Sequence, residues 1–108
     1  MSIEVIKIKE GDTLPILEAI LRTESGIVNL TGVVNVYLSY KKIDSENIIK
    51  REAQIIDAVS GKVQYEWLEA DTLTEGRYLA EFEVHFPAGK KLTFPNQGYF
   101  SFEVVKDL

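Results

Sequence analysis

Cysteine is absent from the 108 residues, which excludes a disulfide scaffold, thiol catalysis and thiolate-bound zinc. A chain of this length forms one domain, 1–108, with its core over about residues 3–105. Such a domain buries roughly two-thirds of its unfolded surface, so it needs neither disulfide nor metal to hold it. Basic excess is also missing: 12 Lys and Arg face 17 Asp and Glu, for a net charge of −5. Phosphate recognition wants a basic stripe, so no nucleic-acid partner is expected. Lys41-Lys42 and Lys90-Lys91 read as strand ends instead. No apolar run reaches the length of a membrane-crossing helix, so no membrane partner is expected. Met1 is followed almost at once by the strand-like "IEVIKIKE", and the expectation is a chain that folds in the cytoplasm.

Alternation of period two dominates what is present. "VVNVYLSYKK" sets Val34, Val36, Leu38 and Tyr40 on one face, against Val33, Asn35, Tyr37, Ser39 and Lys41. "KVQYEWL" aligns Val63, Tyr65 and Trp67. "RYLAEFEVHF" aligns Tyr78, Ala80, Phe82, Val84 and Phe86, and "YFSFEVV" aligns Phe100, Phe102 and Val104. One apolar face and one wetter face per strand is the pattern of antiparallel sheets. Glycines in "TESGI", "AVSGK" and "FPAGK" supply turns between them. The expected fold is all-β: an immunoglobulin-like antiparallel β-sandwich with a tyrosine-corner crossover. Two stretches resist this pattern. "DTLPILEAILRTESG" fits a short helix with Leu17, Ile20 and Leu21 on one side, and equally a strand with Leu17, Ala19 and Leu21 inward. "SENIIKRE" is expected to be a loop leading into the strand "AQIID".

The run "DTLTEGRYLAEFEV" holds the crossover. Tyr78 follows Gly76 at the start of a strand, where a tyrosine can hydrogen-bond upstream backbone and pin the passage between sheets. Thr72 and Glu75 have capping-box spacing, so one helical turn is expected there. Asp71, Gly76, Tyr78 and Trp67 are therefore assigned structural roles.

Catalytic and metal chemistry find little support. Glu81, Glu83 and His85 form E-x-E-x-H on one strand face, with same-face neighbours roughly 6.5–7 Å apart. A third metal ligand would have to come from another strand, and the chain has no second histidine. A solvated outer face explains the same three residues. As hydrolytic carboxylates, Glu81 and Glu83 would share one environment and no cleft. No G-x-S-x-G elbow and no phosphate-binding glycine loop occur. No metal, cofactor or catalytic residue is assigned, and no enzyme activity is expected.

Outward aromatics are the remaining candidates. Trp67 and Tyr65 belong to the core by parity, leaving Tyr37 and Tyr99, with Leu68, Leu79 and Val33 as apolar company, as an interface. The same residues would serve an adhesion or carbohydrate-binding module if their rings formed an exposed platform.

The ordered series "GDTLP", "DAVSGKVQYEW", "ADTLTEGRYLAEFEVHF" and "GKKLTFPNQGYFSFEVV" resembles the amino-terminal domain of phage baseplate upper proteins, from about Gly11 to Val105. The resemblance implies an immunoglobulin-like sandwich and an extended course for residues 14–22, although Leu14, Glu18 and Ala19 depart from the expected threonine- and valine-rich pattern. It also implies a non-catalytic virion structural protein of the tail or baseplate. Such a domain docks its chain onto the baseplate core, with other baseplate or tail proteins as partners. A homo-oligomer stays open, and no binding residues are carried over from the family.

Overall fold

The computed structural model describes residues 5–95 and 98–108. Ten strands and two short 3-10 turns make up its regular structure, so the protein is all-β. The strands are β1 (Val5–Lys9), β2 (Leu17–Ile20), β3 (Arg22–Thr23), β4 (Gly26–Ile27) and β5 (Asn35–Lys42). There follow β6 (Ile49–Asp57), β7 (Lys62–Tyr65), β8 (Gly76–His85), β9 (Lys91–Phe94) and β10 (Phe100–Val105). Hydrogen bonding runs β1-β10-β8-β5-β6-β7-β2, with β9 also on β8.

That single path folds into two layers because β6 changes partners halfway along. Its first half, from Ile49 to Ala53, pairs with β5, and its second half, from Gln54, pairs with β7. A register shift between Ile55 and Asp57 accompanies the bend, as β-bulges do. One layer is thus β1, β10 and β9, β8, β5 and the start of β6. The other is the end of β6, β7 and β2. Pairing is antiparallel except between β1 and β10, which run parallel. β9 and β10 both pair with β8, at Phe82–His85 and Gly76–Ala80 respectively, and so act as one strand interrupted between Phe94 and Phe100.

The apolar parity meets between the layers. Val36, Leu38 and Tyr40 of β5, Tyr78, Ala80, Phe82 and Val84 of β8, and Phe102 and Val104 of β10 are buried. They face Leu17, Val63, Tyr65 and Trp67 from the smaller layer. Phe102 is the hub: it stacks on Tyr78 at 4.8 Å, meets Tyr40 edge-on at 5.4 Å and lies 4.9 Å from Trp67.

Several sequence expectations need correction. Val34 is 65% exposed and lies outside β5, because the turn that carries Leu30 inward resets the alternation before Asn35. "SENIIKRE" is only half a loop, since β6 already begins at Ile49, opposite Tyr40. The helical turn of the crossover is Glu69–Thr72, earlier than the Thr72–Glu75 box implied. Thr72 directs its hydroxyl to the Asp12 and Glu69 carbonyls, and it is the Asp71 carboxylate that accepts the Leu68 amide.

Beyond that turn, Gly76 has φ +139, a conformation that side chains rarely adopt, and Tyr78 donates its hydroxyl to the Thr74 carbonyl at 2.7 Å. Tyr78→Phe should cost about 1 kcal/mol in urea unfolding, the net value of one hydrogen bond whose exposed acceptor can turn to water. A loss above about 3 kcal/mol would mean that the hydroxyl does more than close this turn.

Candidate interaction site

The one charged side chain buried among the described residues serves the sandwich rather than a cleft. Asp71 is fully enclosed and gathers four donors from four parts of the chain. Tyr40 of β5 donates to Oδ1 and Tyr65 of β7 to Oδ2, the latter at 2.5 Å. The Leu68 amide reaches Oδ2 at 2.8 Å, and Arg51 Nε of β6 reaches Oδ1 at 3.2 Å. Burial, reinforced by the Asp71 hydrogen bonds, pushes both tyrosine hydroxyls well above their ordinary pKa. Arg51 is likewise raised, chiefly by its bond to Asp71. Every side-chain nitrogen and oxygen buried among the described residues has a partner. The cluster can tie both layers to the crossover turn, and of its side chains Arg51 alone is part-exposed.

On the outer face of β8, Glu83 lies between Lys50 at 2.9 Å and His85 at 2.5 Å, and the Lys50 contact is the main reason its pKa is lowered. Glu81 sits two residues along the same face, beside Ser39. Among the described residues, no three His, Cys, Asp or Glu side chains converge as metal ligands. Trp67 is buried against Tyr65, with ring centroids 5.5 Å apart.

The three interface candidates do not form one patch. Leu79 and the exposed Tyr99 border a shallow depression of about 110 Å³ with Ile48. Tyr37 is four cross-strand pairs away, opposite Glu83 where Leu79 is opposite Lys41. Its ring is half-buried, with Lys50 Nζ 4.6 Å above it and His85 edge-on at 5.1 Å. Parity placed Tyr37 on the outer face but had no means of showing that its neighbours cover it.

Sequence reading missed a larger concavity. A groove of about 650 Å³ lies in the seam where the curled sheet fails to close, between its edge strands. Ile6 of β1, Phe94 at the end of β9 with Pro95 beyond it, and Phe100 of β10 form one side. Residues 17–22 form the other, with Phe82 also lining it. Its one carboxylate among the described residues, Glu18, is paired with Lys62 at 3.3 Å. The signal for this groove was the uncertain segment at Leu17–Leu21, which among the described residues has no strand partner on its outer side.

The profile of the BppU N-terminal domain matches residues 2–108, essentially the whole chain. The chain belongs to the BppU N-terminal domain family. BppU is the baseplate upper protein of phages, so this is a structural domain of the phage tail and its baseplate, located in the virion tail. The solved N-terminal domain of phage TP901-1 ORF48 is similar to it, with 15% identity and a TM-score of 0.61. The match covers 97% of this chain and 86% of that one, and at this identity it speaks for the shared sandwich alone. No curated protein sequence gives a significant match. Among the described residues of this BppU N-terminal domain, no helix is long and apolar enough to cross a membrane.

Proposed function

We propose that the domain is a non-catalytic docking module, assembled in the host cytoplasm, that fastens its chain to other baseplate components. Family membership supplies the setting. The observation that carries the docking reading is the seam: the concavity is apolar, rimmed by strand edges, and its carboxylate is already neutralised. Catalytic pockets set titratable groups in contrasting environments, whereas the enclosed Asp71 here is spent on the scaffold. The sugar-binding alternative needs exposed rings on a common platform. Tyr37 is covered by Lys50 and stands apart from Tyr99, which leaves one exposed ring.

Co-expression with the other proteins of a phage tail, followed by purification of tails, tests the docking reading. The domain is expected to sediment with baseplates, and tails made without it should lack the layer it anchors. Complete baseplates formed in its absence would overturn the proposal. Binding of Tyr99-dependent glycans on an array would favour the sugar-binding module instead.

A further inference from the structure

Resting on the docking reading, we infer that the seam between β2 and the β1 and β9 edges receives an extended segment of a partner baseplate polypeptide. That segment is apolar at alternate positions and acidic where it meets Arg22, and it adds a strand to β2. Register on β2 fixes which groups are free. Leu21 donates its amide to the Gly61 carbonyl, and Leu17, Ala19 and Leu21 alternate toward β7. The main-chain groups of Glu18, Ile20 and Arg22 therefore point away from β7, along the open edge. An extended peptide would satisfy them, as in strand addition.

The trough beside this edge sets the side-chain chemistry. Leu17, Ala19, Phe82, Phe94 and Phe100 line it, so the residues an incoming strand turns inward must be apolar. Charge complements this. Lys62 neutralises Glu18, which leaves the exposed Arg22 as the positive group at the end of the rim, in a chain of net charge −5. An acidic residue on the partner fits there.

Edge strands are commonly short and charged simply to block aggregation, and Glu18 and Arg22 serve that reading too. A merely blunted edge needs no apolar trough behind it, however, nor a half-exposed Ile20 between the two charges. A fatty acyl chain would fill the trough but would leave the amides of Glu18 and Ile20 unpaired.

The probes are an acetylated peptide of alternating valine and threonine with aspartate at both ends, its lysine-ended counterpart, and palmitate. Each is titrated against the 108-residue chain while amide hydrogen exchange is followed. The aspartate peptide should bind and slow exchange at Glu18 and Ile20. Ile20→Pro removes the donor facing the open edge together with the half-exposed Ile20 side chain, and should weaken binding about tenfold or more while the melting temperature holds. Arg22→Glu should invert the preference toward the lysine peptide, which a general loss of folding would not do. Absence of saturable peptide binding, unchanged exchange at Glu18 and Ile20, or palmitate binding that survives Ile20→Pro would overturn the inference. The docking reading has a separate readout. An Ile20→Pro domain that still enters baseplates removes the seam as the contact and leaves docking intact, whereas exclusion of the unaltered domain defeats both.

Discussion

Asp71→Ala is expected to remove about 3–5 kcal/mol of stability, the range for stripping one partner from a buried charged network. The loss comes from what is left behind. Two enclosed tyrosine hydroxyls and the Leu68 amide lose their acceptor together, while the half-exposed Arg51 can return to water. Against a total of about 5–15 kcal/mol for a domain of this kind, such a loss leaves it marginal at best. Each kcal/mol is worth roughly 4–8 °C at this size, so the melting temperature should fall by well over 10 °C. Asp71→Asn keeps the shape and one acceptor and should fall between the two, because its amide group opposes a donor. Calorimetry of the three proteins checks this. An Asp71→Ala protein melting within a few degrees of the parent would show that water replaces the carboxylate and that the hub is dispensable.

The second large effect is base-induced unfolding. Burial and the Asp71 hydrogen bonds keep Tyr40 and Tyr65 protonated in the folded state after the unfolded chain has released those protons. Their contribution is therefore complete below the unfolded tyrosine value of about 10 and is lost as pH rises toward the folded values. Each tyrosine should tilt stability by about 1.4 kcal/mol per pH unit in that window, and the pair by twice as much. Two pH units of that slope are comparable to the whole stability of a small domain. The slope is assigned to these hydroxyls with Tyr65→Phe. That variant should halve the dependence of urea-unfolding free energy on pH above 10, whatever its absolute stability. An unaltered slope would place the alkaline transition elsewhere.

How much was legible beforehand depended on whether the signal was local. Alternation in β5, β8 and β10 marked Leu38, Phe82 and Phe102 as interior, and all three are buried. The turn glycines marked where strands reverse. The segment 14–22 was ambiguous because its local terms are small. Helix propensities of Leu, Glu and Ala differ from those of poorer formers by at most about 0.7 kcal/mol per residue. Burying Leu17 against β7 and the core is worth about 1.5–3 kcal/mol, as is burying Leu21, and only the sandwich offers that burial. Tertiary packing therefore chose the strand. The Thr72–Glu75 box failed for a similar reason: Asp71 had stronger claims on the turn, but its partners Tyr40 and Arg51 lie 31 and 20 residues away.

Taken alone, the chain determined its layer architecture, its turns and its family, because these rest on residue order and on a side-chain period of two. Three-dimensional packing decided the rest. Which carboxylate would be buried, which aromatic rings would be covered and where the sheet would stay open all depend on strands that meet only after β6 crosses between layers. Those contacts join residues far apart in sequence, so no window along the chain contains them.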